Sequence, residues 1–149
     1  RDRWLGHLTL TIGGQWNEDR VLNFIKDNDL GGIVKFVGWV SGDDKATILS
    51  KTDILILPSY YEGLPISILE AMSYAMPVIT TPVGGIPEVV TDGVEGTLFT
   101  PGDKAAMTRA IDRYIECPGL IIKQGNAGWE KSKLFSPEHI VNRLSQILE

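Results

Sequence analysis

Five short apolar runs recur along the chain, and the gaps between them constrain what it can fold into. The runs are Leu8–Ile12, Val34–Val37, Ile54–Leu57, Val78–Thr80 and Thr97–Phe99. Between the first four lie helix-length segments, Trp16–Lys26, Ser41–Ser50 and Pro65–Tyr74, and a short helical turn near Pro87 precedes the last run. Ser41, with Asp44 three residues on, reads as the cap of the second helix. Strands separated by helices pair in parallel through right-handed crossovers. Ile54-Leu55-Ile56-Leu57 is apolar without alternation, the pattern of a parallel strand covered on both faces. Three further helices follow: Lys104–Glu116 behind an Asp103 cap, Ile121–Lys133, and Pro137–Leu148 behind Ser136. The expectation is a single α/β domain over residues 1–149, a doubly wound parallel sheet with helices on both faces. No internal repeat, low-complexity segment or linker interrupts it.

Composition narrows the function class. A chain of 149 residues with 43% hydrophobic and 22% charged content is long enough to bury a sizeable core and ordinary for a soluble globular domain. A net charge of −5 argues against nucleic acid or an anionic membrane as a partner. Cys117 is the single cysteine, so no internal disulfide forms and a reducing, cytoplasmic setting is expected. No apolar run approaches the roughly 20 residues of a membrane span, and no signal peptide is present. The chain begins with Arg1 and reads as a fragment.

The chemistry-bearing segment is Pro58-Ser59-Tyr60-Tyr61-Glu62-Gly63-Leu64-Pro65-Ile66-Ser67-Ile68-Leu69-Glu70-Ala71-Met72. Pro65, with fixed φ and no N–H, suits the first residue of a helix. The order is therefore strand, turn with Glu62, helix with Glu70, and the turn sits at a strand's carboxyl end, where open parallel sheets bind ligands. A helix starting near Pro65 presents free N–H groups and a positive dipole end to an anion. Glu70 lies roughly 7.5 Å further along at about 1.5 Å per residue, near the span from a nucleotide's diphosphate to its ribose hydroxyls. Ser67 and Tyr74 share its face. Glu62, ahead of the helix, meets whatever extends beyond the phosphates, and a carboxylate there suits a neutral, hydroxyl-rich sugar.

These residues resemble the signature of the retaining GT-B glycosyltransferases of the "group 1" class. Asp53–Ser59, Glu62–Pro65 with Leu69–Met72, Pro77–Thr81, Gly84–Val90, Gly93 and Gly96 with Pro101–Asp103, and Phe135–Glu138 follow the family pattern in order. The resemblance implies that Glu70 binds the ribose hydroxyls and Glu62 acts on the donor sugar. It also implies that the N–H groups of Gly63 and Leu64 face the distal phosphate or sugar, and that Gly84 and Gly85 approach the donor. Ser59 is a candidate ligand contact. Trp39, after Val37-Gly38, stands where the family often places the nucleotide base. The implied reaction moves a sugar from a nucleoside-diphosphate sugar to an acceptor saccharide or lipid-linked glycan, with no metal or other cofactor. The Arg and Lys that clamp the diphosphate, and the acceptor-binding domain, are implied to lie ahead of Arg1, with any membrane association through that domain. The isolated chain is then expected to transfer no sugar. Two departures stand out. Ala75 replaces the family's usual glycine, which implies a small loss of stability, and Gly13-Gly14-Gln15-Trp16 lacks the second spaced glycine and the proline.

Other polar groups have simpler readings. Glu88 suits the first turn of a short helix by its charge. Asp27-Asn28-Asp29 closes a helix rather than a strand, which argues against a metal motif. His7, His139 and Cys117 lack metal-ligand spacing. Trp4, Trp16 and Trp129 read as packing residues. Two rival functions share the fold: a nucleotide-sugar epimerase, which the Glu62/Glu70 spacing disfavours, and a non-catalytic nucleotide-sugar-binding module, which the retention of both glutamates disfavours.

Overall fold

The computed structural model describes residues 4, 6–15, 17–136, 139, 141, 145 and 146. The chain divides into two compact units, residues 1–48 and 49–149. The first holds β1 (Leu10–Gly13), α1 (Glu18–Asp27) and β2 (Val34–Gly38), and α2 (Gly42–Leu49) ends at the division. β1 and β2 pair in parallel, Leu10 opposite Val34, with the register slipping between Ile12 and Gly13.

The second unit begins with β3 (Leu55–Leu57), α3 (Ile66–Ser73), β4 (Val78–Thr80), α4 (Ile86–Val89) and β5 (Gly96–Leu98). Helices α5 (Lys104–Glu116) and α6 (Gly119–Ser132) follow, and a 3-10 turn covers Lys133–Phe135. The sheet order is β3-β4-β5, parallel throughout. The chain is thus an α/β protein of parallel strands linked by helices.

Side-chain alternation along these strands separates two hydrophobic clusters. Leu55, Leu57, Val78 and Leu98 pack with Ile68 and Met72 of α3 and Ile86 and Val89 of α4. Ile54, Ile56, Ile79 and Phe99 pack with Ala110 and Tyr114 of α5 and with Leu120 and Ile121 of α6. β3 is half-buried, and β4 is the strand with no exposed surface at all. Each fully buried Val, Ile or Met contributes about 1.5–3 kcal/mol from area alone.

The element boundaries differ from the sequence expectation where backbone pairing, not hydropathy, decides them. The first strand runs Leu10–Gly13 rather than Leu8–Ile12, because Leu8 N–H donates to the Trp4 carbonyl in a turn and pairing starts where Leu10 N–H meets the Ile33 carbonyl at 2.7 Å. α1 begins at Glu18 because Asn17 takes the left-handed conformation, φ 58°. Trp16 lies outside the described residues. β5 is shifted one residue, to Gly96–Leu98, since Gly96 pairs with Val78 but carries no side chain to signal it. Asp103 caps α5 as expected, accepting the Ala106 N–H at 2.8 Å. The Ser136 hydroxyl accepts the His139 N–H at 3.2 Å, and most of the expected helix Pro137–Leu148 lies outside the described residues.

α6 is fastened through polar contacts. Gln124, buried, donates to the Gly93 carbonyl at 3.0 Å and accepts from the Tyr114 hydroxyl. Burial pushes that hydroxyl's pKa up from its ordinary value. Lys131 pairs with the buried Glu95 at 3.3 Å, and Glu95 also accepts the Thr91 N–H at 2.7 Å. α6 approaches the end of α3 closely at Gly125, where an added Cβ would fall 1.9 Å from the Ala75 carbonyl oxygen.

Ala75 itself has φ +54°, so the family's glycine at this position has a conformational reason. A left-handed L-residue is strained by about 1–2 kcal/mol, partly offset by glycine's greater freedom in the unfolded chain. Ala75→Gly is expected to stabilise the protein by about 0.5–1 kcal/mol. The urea midpoint should rise with an unchanged slope, and a fall would show the position unstrained.

Candidate functional site

Three elements of the second unit converge at the carboxyl ends of β3 and β4. The segment after β3 carries Ser59, Glu62, Gly63 and Leu64. α3 follows it, and the Gly84-Gly85 turn follows β4. Pro65 is the N-cap of α3 rather than its first helical residue, at φ −71° and ψ 116°. Pro65 takes an extended ψ, and its fixed φ leads the chain into the helix. Pro65 has no side-chain acceptor and makes no cap hydrogen bond to this end. Ile68 N–H already donates to the Pro65 carbonyl at 3.0 Å, and the N–H groups of Ile66 and Ser67 with the positive dipole end are what this terminus can offer an anion.

Glu62 is half-buried, and its Oε1 accepts a hydrogen bond from Ser59 Oγ at 2.7 Å. Ser59 thus spends its one hydroxyl hydrogen on Glu62 and keeps its lone pairs. Glu70 sits half-buried on α3 with Ser67, and Tyr74 is the C-cap of the same helix. Leu64 and the two tyrosines before Glu62 are exposed, Tyr61 at 91%.

The two loops touch backbone to backbone. Gly85 N–H donates to the Gly63 carbonyl at 2.7 Å. Gly84 has φ +55°, and a Cβ on it would lie 1.8 Å from the Glu62 carbonyl oxygen and 2.9 Å from that of Gly63. Gly84 and Gly85 thus do more than turn the chain, because they let one loop lie directly on the other. Glu88 lies exposed in the first turn of the four-residue α4.

Sequence reasoning missed Thr81. It is fully buried, and its Oγ1 donates to the Ser59 carbonyl at 2.5 Å. Thr80, equally buried, donates to the Leu57 carbonyl at 2.8 Å. A signal existed, since two hydroxyls ending a buried strand must find partners, and the carbonyls of the neighbouring strand's exit are the nearest supply.

Trp39, in the first unit, directly follows β2 and is 66% exposed. Trp129, expected to pack, is partly exposed, with Lys133 Nζ 3.4 Å from its ring centre. Among the described residues no group of three or more His, Cys, Asp or Glu side chains converges to hold a metal ion. Among them also, no helix is long and apolar enough to cross a membrane.

Comparison with known proteins identifies the family and the fold. The family described as glycosyl transferases group 1 matches residues 5–133. The amylovoran biosynthesis glycosyltransferase AmsK of Erwinia amylovora is 31% identical over 139 residues, covering 89% of this chain and 34% of AmsK. Among solved structures, sucrose-phosphate synthase from Thermosynechococcus elongatus superposes with a TM-score of 0.81 at 30% identity, over 95% of this chain and 37% of that one. Anabaena HepE in complex with UDP-glucose gives 0.82 at 25% identity, over 94% and 40%. The chain belongs to the group 1 glycosyl transferase family and has the α/β fold of the GT-B glycosyltransferases. It spans about a third of the length of the curated relatives it matches.

The loop contact generates a test. Gly84→Ala adds both a strained left-handed alanine and a clash with backbone that no side-chain rotation relieves. It is expected to destabilise by about 2–5 kcal/mol. At Gly63 an added Cβ meets nothing within 4 Å, so Gly63→Ala should change stability by less than about 1 kcal/mol. Urea unfolding of the two variants checks this, and equal effects would contradict the close approach.

Proposed function

We propose that this chain is the donor-binding part of a retaining glycosyltransferase that moves a sugar from a nucleoside-diphosphate sugar to an acceptor. The observation that carries it is the grouping of the Glu62 carboxylate, the Gly84-Gly85 turn and the N-terminus of α3 at one end of β3 and β4. HepE, similar in fold and 25% identical, binds UDP and UDP-glucose in its crystals, which supports a nucleotide-sugar donor here.

In this reading Glu70 accepts hydrogen bonds from the ribose hydroxyls, and Glu62 accepts from a hydroxyl of the donor sugar. The N–H groups at Gly63, Leu64 and the start of α3 face the diphosphate. The bond from the sugar's anomeric carbon to the diphosphate oxygen breaks, and the electron pair leaves with the diphosphate. A new bond forms on the same face of that carbon to an acceptor oxygen, whose proton passes to the departing diphosphate oxygen. Donors fixed in advance toward the oxygen where charge develops lower the barrier without reorganising. The helix dipole and N–H groups serve the leaving group, so the step uses no metal ion. The acceptor in this reading is a saccharide or a lipid-linked glycan, and the relatives AmsK, named for amylovoran biosynthesis, and glycogen synthase support a role in polysaccharide synthesis.

The test separates the two glutamates in the full-length protein. Hydrogen bonds to a charged group contribute about 1.5–3 kcal/mol, so Glu70→Ala should weaken both nucleoside-diphosphate and nucleotide-sugar binding by about tenfold or more. Glu62→Ala should leave nucleoside-diphosphate binding nearly unchanged and reduce transfer. Calorimetry and a transfer assay over a panel of nucleotide sugars read this out, and equal losses of plain nucleoside-diphosphate affinity would overturn the assignment. Interconversion of nucleotide sugars without transfer would point to an epimerase instead.

Transfer should also persist in EDTA. Complete loss, restored by Mn²⁺ or Mg²⁺, would refute the metal-free step.

A further inference from the structure

Glu62 stands between two anchored carbonyls. On one side the Ser59 carbonyl is held by the hydroxyl of buried Thr81, at 2.5 Å. On the other the Gly63 carbonyl is held by Gly85 N–H, at 2.7 Å. Both anchors come from the chain just after β4, itself fully buried. The side chain of Glu62 is held in turn, because Ser59 Oγ donates to its Oε1 at 2.7 Å.

We infer that Ser59 and Thr81 are positioning residues for Glu62. Thr81 fixes the Ser59 backbone, Ser59 fixes one carboxylate oxygen, and the other oxygen, Oε2, is the acceptor left for the donor sugar. The inference rests on the proposed role of Glu62. A hydroxyl donating to an ionised carboxylate makes a short, strong bond, about twice the strength of a neutral one. Glutamate has several accessible rotamers, and one such bond selects among them. Thr81 has no route to solvent, so its hydroxyl has a constant partner rather than a competing water. The chain of contacts therefore runs from the sheet interior to the carboxylate through two hydroxyls.

Positioning of this kind affects the reacting geometry and not the affinity for the nucleotide. In the full-length protein Ser59→Ala should lower transfer kcat about tenfold, while nucleoside-diphosphate affinity stays within about twofold. Ser59→Thr keeps the hydroxyl and should restore most of the loss. Thr81→Val conserves shape and removes the hydroxyl, and it should act in the same direction as Ser59→Ala, with Thr81→Ser recovering. In a Glu62→Ala background Ser59→Ala should have no further effect, because the two act as one unit.

An unchanged kcat for Ser59→Ala would overturn the inference. So would a parallel loss of nucleoside-diphosphate affinity, or a full additional loss in the Glu62→Ala background. Crystal structures of the parent and Ser59→Ala proteins decide the point independently of turnover. One Glu62 rotamer giving way to several supports positioning, and an unmoved Glu62 refutes it. If the parent protein turns over no nucleotide sugar, the proposed reaction fails while this comparison still reads the positioning.

Discussion

β4 is three residues long and has no surface exposed to water, and the rest of the second unit is arranged around that fact. A central parallel strand needs hydrogen-bonded neighbours on both edges and apolar cover on both faces. β3 and β5 supply the first, at Leu55 opposite Val78 and Val78 opposite Gly96. α3 and α4 cover one face, and α5 with the start of α6 the other. The polar end of the strand is served as well, because Thr80 and Thr81 turn their hydroxyls to carbonyls of the chain leaving β3. The same bonds that close the core therefore fix where the segment bearing Glu62 begins.

Buried polar groups elsewhere show similar closure, and every described buried side-chain nitrogen or oxygen has a partner. Gln124 and Glu95 are the informative cases. Each lies in the interior and ties α6 or its contacts to the loop between α4 and β5. Apolar packing alone tolerates sliding of one helix on another, whereas a buried amide or carboxylate has one arrangement that satisfies it. These two residues fix α6 against the loop between α4 and β5, and the small Gly125 separately permits its close contact with the end of α3.

Much of the fold was legible because its signals are local. The continuous apolar run at Ile54–Leu57, the proline before α3 and the aspartate before α5 each specify an element through their own backbone or cap chemistry. The Glu62–Pro65 turn was legible for the same reason. What stayed hidden depends on pairing across the chain. The division of the described strands into sheets of two and three follows from which edges meet, and hydropathy does not encode that. Gly96 and Gly13 join strands without apolar side chains to announce them. Thr81 and Ser59 are 22 residues apart, so their bond has no local signature, and Gly84 could be read as a turn residue without showing that it lies on Glu62.

The backbone contact between Gly84-Gly85 and Glu62-Gly63 has a thermodynamic consequence. A loop that must become ordered around a ligand loses conformational freedom of order 1–2 kcal/mol per residue, which subtracts from affinity. Here that entropy is lost during folding of the protein, when the two loops settle on one another. A ligand arriving at this end of the sheet meets a surface already in place. Its binding entropy is then governed by released water and by its own rotors, with little contribution from the loop that receives it.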